Sequence, residues 1–541
     1  MIEACTPTTK TLRPCVEESV NWEHTENLYL KGDNLDALKL LQESYLGSIN
    51  VIYIDPPYNT GKDFVYKDNY QIKSEDYSSV IGEKDDLNLR YFINTESNGR
   101  FHSDWCSMIY PRLKLARNLL ASDGVIFISI DDRELSNLLK ICDELFGSSN
   151  YLGCITWVKK TKPVNSGAAK YQLQSRLEYV AVYCKGKNSE NTYKFKLKST
   201  GKRTYDVKTD MGYCRLKDIE DSDYGSKSRD TMKFPILGIT PSPGSRWKIG
   251  YDEIQRLISS DRVCVVDGKV KIRVYPGDED GEIFAPFWSN FDTNIGTAES
   301  GKKELNATIG RNIGFDTVKP TGLIREILSH FDSDITVMDF FSGSGTVADA
   351  VMRQNANDGG VRKYIVIQCE EPFEETSDGY AAGFRTICDL GLTRIGNAGK
   401  NICKGDVGFR VFKVDESNVK ENVYFSAKEY SQRVLSEAID NIKEDRTGLD
   451  LLYNVMLDWG LKISVSERTE VISGKHVHIV DGGALIACFE SDVDLNVIKS
   501  IAKMKPTYAV FRDGSFRDSS NKINLEEIFK VQSPDTVIKV I

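Results

Sequence analysis

Residues Val51-Ile52-Tyr53-Ile54 form an apolar run that ends abruptly at Asp55-Pro56-Pro57-Tyr58. A continuous apolar run this short, closed by proline, reads as a buried strand of a sheet covered on both faces. Proline has a fixed φ and no N–H to donate, so it cannot continue the ladder. The strand must therefore stop at Asp55 and pass the chain into a loop at the edge of the sheet.

The neighbouring pattern turns this strand into an architecture. Leu28 to Asp33 reads as a short strand ending in Gly32-Asp33, and Asn34 to Tyr45 carries Leu35, Leu38 and Leu41 at helical spacing. Ser103-Asp104 is expected to cap a helix bearing Trp105, Ile109, Leu113, Ala116 and Leu120 on one face. Val125 to Ile130 is a strand, and a second helix with Leu135, Leu138, Cys142 and Leu145 closes at Gly147. Alternating strands and helices predict an α/β fold around a parallel sheet. The polar, aromatic-rich stretch from Lys62 to Arg100 is long enough for a functional loop that covers something.

From Thr156 to Asn290 the alternation stops. The chain there is basic, punctuated by Gly and Pro, and β-like, with Leu177 to Cys184 as its clearest strand and a turn at Ser242-Pro243-Gly244-Ser245. The α/β rhythm resumes with helices at Thr321–His330, Thr346–Arg353 and Gly379–Ile395 and strands at Ile335–Met338 and Tyr364–Gln368. A last region from about Asn401 has its own helices and strands, including Val477–Val480 and Tyr508–Phe511. With 541 residues, more than one core is required. The expected division is an arm (1–30), one half of an α/β domain (31–155), an insert (156–290), the other half (291–400) and a C-terminal domain (401–541).

Charge is unevenly placed. The net charge is −9, yet residues 151–210 hold eleven Lys and two Arg against four carboxylates, a local +9 that leaves −18 elsewhere. A basic segment can be a plain solvated face, but it also suits a polyanion. Lys159, Lys160, Lys162, Lys170 and Arg176 are the candidate contacts. The twelve cysteines include no C-x-x-C pair, so neither a zinc site nor a disulfide framework is expected. No apolar run approaches membrane-spanning length, and the first residues lack a secretory apolar core. A cytoplasmic protein with no metal is the expectation.

Two loops carry the chemistry. At Asp55–Tyr58, a carboxylate and a proline-fixed backbone carbonyl can accept the two N–H groups of an exocyclic amine. Such an amine is a poor nucleophile because its lone pair is delocalised, and two acceptors draw it toward sp³ geometry. Tyr58 offers a ring for an extruded base. Taken alone, the four residues could equally form a turn capped by Asp55; the preceding buried strand and the continuation Asn59-Thr60-Gly61 favour the chemical reading. The second loop, Asp339-Phe340-Phe341-Ser342-Gly343-Ser344-Gly345-Thr346, lies between a strand and a helix, where glycine permits close approach of a ligand. No P-loop signature occurs, which argues against ATP hydrolysis by this chain. The strand after it ends in Cys369-Glu370-Glu371, and an acid there suits ribose hydroxyls.

Together the loops resemble those of the amino-methyltransferases, which pair an F-x-G-x-G cofactor loop with a D/N/S-P-P-Y catalytic loop. Here Phe341–Gly345 and Asp55–Tyr58 match, with the catalytic loop first and the basic insert between, as in the permuted β group. The resemblance extends over nearly the whole chain to the modification subunits of type III restriction-modification systems. It is carried by Pro7–Pro14, Gly32–Leu35, Tyr53–Gly61, Ser103–Asp132, Lys319–Ile324 and Gly408–Phe412. One departure is Gln368-Cys-Glu-Glu-Pro372, where that family more often has Gln-Leu-Pro-Glu-Pro; this aligns Glu371 rather than Glu370 as the ribose acid. The resemblance implies a circularly permuted Rossmann-like methyltransferase sheet, an inserted target-recognition domain and a C-terminal dimerisation or partner-binding domain. It implies transfer of methyl from S-adenosyl-L-methionine to N6 of a flipped adenine in double-stranded DNA. Asp55, Pro56, Pro57 and Tyr58 would be catalytic. Asp339, Phe341, Ser342, Gly343, Gly345 and Thr346 would cradle the cofactor, Lys319-Pro320-Thr321 would lie beside it, and Asp33 would face its adenine, although Gly-Asp before a helix is equally a cap. A homodimer and an ATP-dependent restriction subunit are the implied protein partners. The alternatives are a cytosine-N4 enzyme, in which Ser-Pro-Pro-Tyr is commoner, an RNA or protein amide methyltransferase, and a non-catalytic DNA-binding subunit.

Overall fold

The computed structural model describes residues 2–61, 64–66, 91–94, 97–162, 170–171, 173–186, 194–223, 229–402, 404–420, 442–516 and 519–541. Most of the long loop expected at 62–100 lies outside the described residues.

Ten strands form the main sheet: β1 (Lys10–Pro14), β2 (Leu28–Lys31), β3 (Ile49–Ile54), β4 (Leu120–Ile130), β5 (Tyr151–Val158), β6 (Leu177–Cys184), β7 (Asn290–Phe291), β8 (Thr336–Asp339), β9 (Lys363–Gln368) and β10 (Arg410–Glu416). Their order is β1-β10-β2-β9-β8-β3-β4-β6-β5-β7. The six from β10 to β4 run parallel. The strand β6 is antiparallel to both neighbours, and β1 is antiparallel to β10. The strand after the second loop's helix, β9, lies on the far side of β8 from β3. Strand β8 lies directly against β3, with Met338 opposite Ile52. Because these strands are parallel, Asp33, Asp55, Asp131, Asp339 and Cys369 all emerge at one edge of the sheet.

Both faces of the parallel strands are buried, as their unbroken apolar sequences require. Leu30, Ile52, Ile54, Ile126 and Ile128 share one cluster with residues of three helices, α1 (Asn34–Leu40), α2 (Phe101–Leu119) and α3 (Leu135–Phe146). The alternate residues Tyr29, Val51, Tyr53, Phe127 and Val337 point the other way and are also buried. Beyond them come α4 (Ala298–Ile309), α5 (Thr321–Leu328), α6 (Thr346–Asp358) and α7 (Ile387–Lys400). Here α5 packs on α6, and α7 touches both α6 and α4.

Several expected boundaries change. The helix expected at Gly379–Ile395 is two helices, Asp378–Ala381 and Ile387–Lys400, and Leu120 opens β4 instead of closing α2. The helix expected to start at Ser103-Asp104 begins at Phe101. Asn98 turns the chain earlier by accepting the Arg100 N–H at 2.9 Å, and Ser103 Oγ donates back to the Arg100 carbonyl at 3.0 Å. The strand Leu177–Cys184 belongs to the main sheet, where it pairs with β4 and β5. The separate compact unit is 195–287, not 156–290, and its core is Ile219, Ile236, Trp247, Ile254, Val263 and Val270. Ser242–Ser245 turns as expected within that unit, the Ser245 N–H donating to the Ser242 carbonyl at 2.9 Å with Gly244 at φ 80°. Finally, β1 from the arm and β10 from the last region complete the same sheet. Arg13 ties them to α8 (Gly448–Asp458) through Asp415 (3.0 Å) and Asp450 (3.2 Å).

The remainder of the last region is a five-stranded sheet, Glu467–Ile472 through Val537–Val540 in chain order. Val477, Cys488, Val497, Ile501, Phe511 and Phe529 form its core with helices Leu495–Lys503 and Ser519–Gln532. Among the described residues no helix is long and apolar enough to cross a membrane, and no group of His, Cys, Asp and Glu is arranged to hold a metal ion.

Candidate active site

Asp55 leaves the end of β3 and Asp339 the end of β8, on adjacent parallel strands. The loop after Asp55 is held from several sides. Trp105 Nε1, fully buried on α2, donates to the Pro57 carbonyl at 2.7 Å. Asn59 is in the left-handed region at φ 59°, a conformation Asn tolerates better than most residues. Its buried side chain donates to the Phe101 carbonyl (3.1 Å) and to Glu134 (2.6 Å), and accepts from Asn94 (2.9 Å). Glu134 is fully buried and also meets Asn137 (2.8 Å) and His102 Nδ1 (2.6 Å). Pro56 and Pro57 thus sit in a fixed turn whose far end is anchored to α2.

The Asp55 carboxylate meets two donors. Lys319 Nζ lies 2.8 Å from Oδ1 and 2.7 Å from Oδ2, and the Tyr58 hydroxyl donates to Oδ1 at 2.7 Å. Both donors also reach Glu178 of β6, at 3.3 Å each, and Lys159, just past β5, donates to the other oxygen of Glu178 at 3.0 Å. The Lys319 ammonium lies 5.0 Å from the Tyr58 ring centre and 5.9 Å from that of Trp157. Burial disfavours the Lys319 ammonium, but Asp55 and Glu178 outweigh it and raise its pKa. Burial pushes Glu178 up, yet Lys319 and Lys159 bring it below the usual carboxylate range. Burial, then Asp55 and Glu178, drive the Tyr58 hydroxyl well above its ordinary value, so it stays a donor.

The second loop is built to receive a ligand. Phe341 N–H donates to Asp339 (2.9 Å), Gly343 N–H to Gln368 Oε1 (2.6 Å), and Asn34 Nδ2 to the Phe340 carbonyl (2.8 Å). Gly343 (φ 53°) and Gly345 (φ 80°) supply the two left-handed residues of the turn. A Cβ on Gly343 would meet nothing nearer than 4.0 Å, whereas one on Gly345 would press Ile395 of α7 at 3.0 Å. The Ser342 hydroxyl is buried with no hydrogen-bond partner among the described residues. Buried Asp339 is held well above the usual carboxylate range by burial, with Asp55 adding to it against the Phe341 N–H.

Several expected residues also make contacts within the protein. Thr346 Oγ1 and Ser344 Oγ accept from Arg394 of α7 at 2.8 and 2.9 Å, so both brace the loop from behind. Asp33 is the cap of α1, accepting from Leu35 and Asp36 N–H at 2.8 and 3.2 Å. Thr321 opens α5 and bonds Glu304 (2.9 Å), with Pro320 as the preceding cap residue. Lys319 lies on Asp55. Glu370 is exposed and pairs with Lys413 of β10 at 3.3 Å, while Glu371 is partly buried. Lys160, Lys162, Lys170 and Arg176 are exposed, but Lys159 turns inward to Glu178. Sequence reasoning missed Glu178, Trp157, Glu134 and Arg394. Only a charged residue inside the otherwise apolar run of β6 hinted at the first.

Comparison with known proteins accords with this geometry. Residues 49–378 match the DNA methylase family of N6/N4 methyltransferases. The chain is 30% identical to the Mod subunit of the type III restriction-modification enzyme EcoP15I of Escherichia coli, across 95% of this chain and 84% of that protein. It is 33% identical to the StyLTI Mod subunit of Salmonella typhimurium, across 72% and 60%, and 32% identical to the EcoPI Mod subunit of Escherichia phage P1, across 69% and 62%. The matched region thus spans about three-fifths of the last two relatives. The chain belongs to the DNA methylase family and, within it, to the Mod subunits of type III restriction-modification enzymes.

Proposed function

We propose that this chain is the modification and sequence-recognition subunit of a type III system, transferring methyl from S-adenosylmethionine to N6 of adenine in double-stranded DNA. The observation that carries the reading is the juxtaposition of Asp55-Pro-Pro-Tyr58 with the Phe341 loop at the carboxyl ends of two adjacent parallel strands, the usual ligand-binding crevice of an open α/β sheet.

The residues fit the cofactor. When bound, S-adenosylmethionine supplies an electrophilic methyl on a sulfonium. Asp339 offers a buried carboxyl to the cationic methionine part, Ser342 a hydroxyl with no partner among the described residues, Gly343 open space, and Glu371 an acid for the ribose. Asp55 accepts one N–H of the target amine and the Pro56 carbonyl the other, which concentrates the lone pair on nitrogen and aims it across the crevice. Tyr58 stacks on the extruded base. Aspartate at the first loop position favours adenine over cytosine.

Lys160, Lys162, Lys170 and Arg176 are proposed to neutralise phosphates, and 195–287, with its basic flank, to read the target sequence. Residues 401–541 are proposed to carry the homodimer contact and the contact with an ATP-dependent restriction subunit. The test is Asp55→Ala. Methyl transfer to unmodified DNA should be abolished while cofactor affinity stays within about twofold, because Asp55 acts on the transition state and not on cofactor binding. Full activity would overturn the assigned role.

A further inference from the structure

Both oxygens of Asp55, the acceptor assigned to the target amine, are engaged by Lys319 at 2.8 and 2.7 Å. A base arriving at this carboxylate therefore meets a competitor. That competitor cannot simply swing into water, since its side chain is only 11% exposed and flanked by the rings of Tyr58 and Trp157. Leaving an ammonium in such a site without a counter-ion carries a heavy desolvation cost. A second carboxylate is already in place. Glu178 Oε2 lies 3.3 Å from Lys319 Nζ and 3.3 Å from the Tyr58 hydroxyl, the same two donors that bond Asp55 more closely.

We propose, on the reading of Asp55 given above, that Glu178 is a positioning residue: its carboxylate takes over the Lys319 ammonium when the adenine amine engages Asp55. The transfer shortens one 3.3 Å contact and lengthens two near 2.7 Å, moving one ammonium between two fixed carboxylates with no change of protonation. Lys159 holds the far oxygen of Glu178 at 3.0 Å and keeps the acceptor ionised and oriented. Two carboxylates and two ammoniums balance before and after, so no buried charge is stranded. The depressed pKa of Glu178, where Lys319 and Lys159 overcome burial, agrees with a permanently charged acceptor. Strand β6 and the end of β5 thus bring the charged pair Glu178 and Lys159 to the Asp55 carboxylate.

The test is a double-mutant cycle on the full chain, using single-turnover methyl transfer with saturating cofactor and unmodified DNA. Glu178→Gln should slow transfer at least about tenfold, equivalent to ~1.4 kcal/mol of barrier. The dissociation constants for S-adenosylmethionine and for DNA should be unchanged. Glu178→Asp, which keeps the charge, should recover part of the rate, and a denaturant titration confirms that each variant is folded. In a Lys319→Met background there is no ammonium to remove, so adding Glu178→Gln should have no further effect. An equal loss from Glu178→Gln in both backgrounds, or full activity of Glu178→Gln, would overturn the proposal. Asp55→Ala, run alongside, separates the two claims: activity there defeats the reading of Asp55, whereas additivity in the cycle defeats only the role of Glu178.

Discussion

Asn59 allows the support of the catalytic turn to be measured. It holds φ at 59° and donates to the fully buried Glu134 at 2.6 Å. Replacing it by Ala removes a hydrogen bond to a charged group, about 1.5–3 kcal/mol, and places a Cβ residue in the left-handed region, about 1 kcal/mol more. The remaining partners limit further damage, because Glu134 keeps His102 and Asn137, and the Phe101 carbonyl keeps Asn94 at 2.7 Å. The expected loss for Asn59→Ala is therefore about 2.5–4 kcal/mol. Asn59→Gly loses the same bond but not the backbone strain, so it should be more stable than the Ala variant by about 1 kcal/mol, the reverse of the order inside a helix. Denaturant unfolding of the two variants measures the difference, and methyl-transfer rates should fall in both because Pro56 and Pro57 lose their anchor. If Ala proves as stable as Gly, or if both variants match the parent in stability and rate, the anchoring argument is refuted.

Three further outcomes follow from other contacts. Arg394→Met removes a fully buried guanidinium from Asp349 (3.2 Å), Ser344 and Thr346, and should cost about 3 kcal/mol and weaken S-adenosylmethionine binding, read by denaturation and calorimetry. Asp339 is raised chiefly by burial, so its neutral form contributes stability at low pH that is lost as pH rises through its folded pKa. The cofactor's cation favours the ionised form. Between the ordinary Asp value of about 3.9 and that raised pKa, binding should release a proton, detectable as a buffer-dependent heat that Asp339→Asn removes. Neutralising Lys160, Lys162, Lys170 and Arg176 together should reduce the slope of log affinity for DNA against log salt by about 3 to 4; an unchanged slope would remove these residues from the contact.

The parallel core was legible because its signals are local. Val51–Ile54, Ile335–Met338 and Tyr364–Gln368 are short apolar runs, and each reappears as a strand shifted by no more than two residues at either end. The two loops were legible for the same reason, since Asp55–Tyr58 and Phe341–Gly345 each carry their chemistry within a few residues. What surrounds Asp55 was not. Lys319 is 264 residues away, and Glu178 is 120 residues beyond Tyr58 on an antiparallel strand that looked like part of the insert. Lys159 counted as one more cation in a basic segment, and only the β5–β6 pairing shows it facing inward. Strands β1 and β10 pair across a separation of 406 residues at Lys10 and Glu416, so no composition shift could mark the arm or the start of the last region as part of the sheet.

The central claim is most directly tested by the identity of the product. Unmodified DNA incubated with this protein and S-adenosylmethionine is digested to nucleosides and analysed by mass spectrometry. Aspartate at the first position of the Asp55–Tyr58 loop predicts N6-methyladenine as the methylated nucleoside, absent from the Asp55→Ala reaction; N4-methylcytosine, or no methylated nucleoside at all from the unaltered protein, would contradict it.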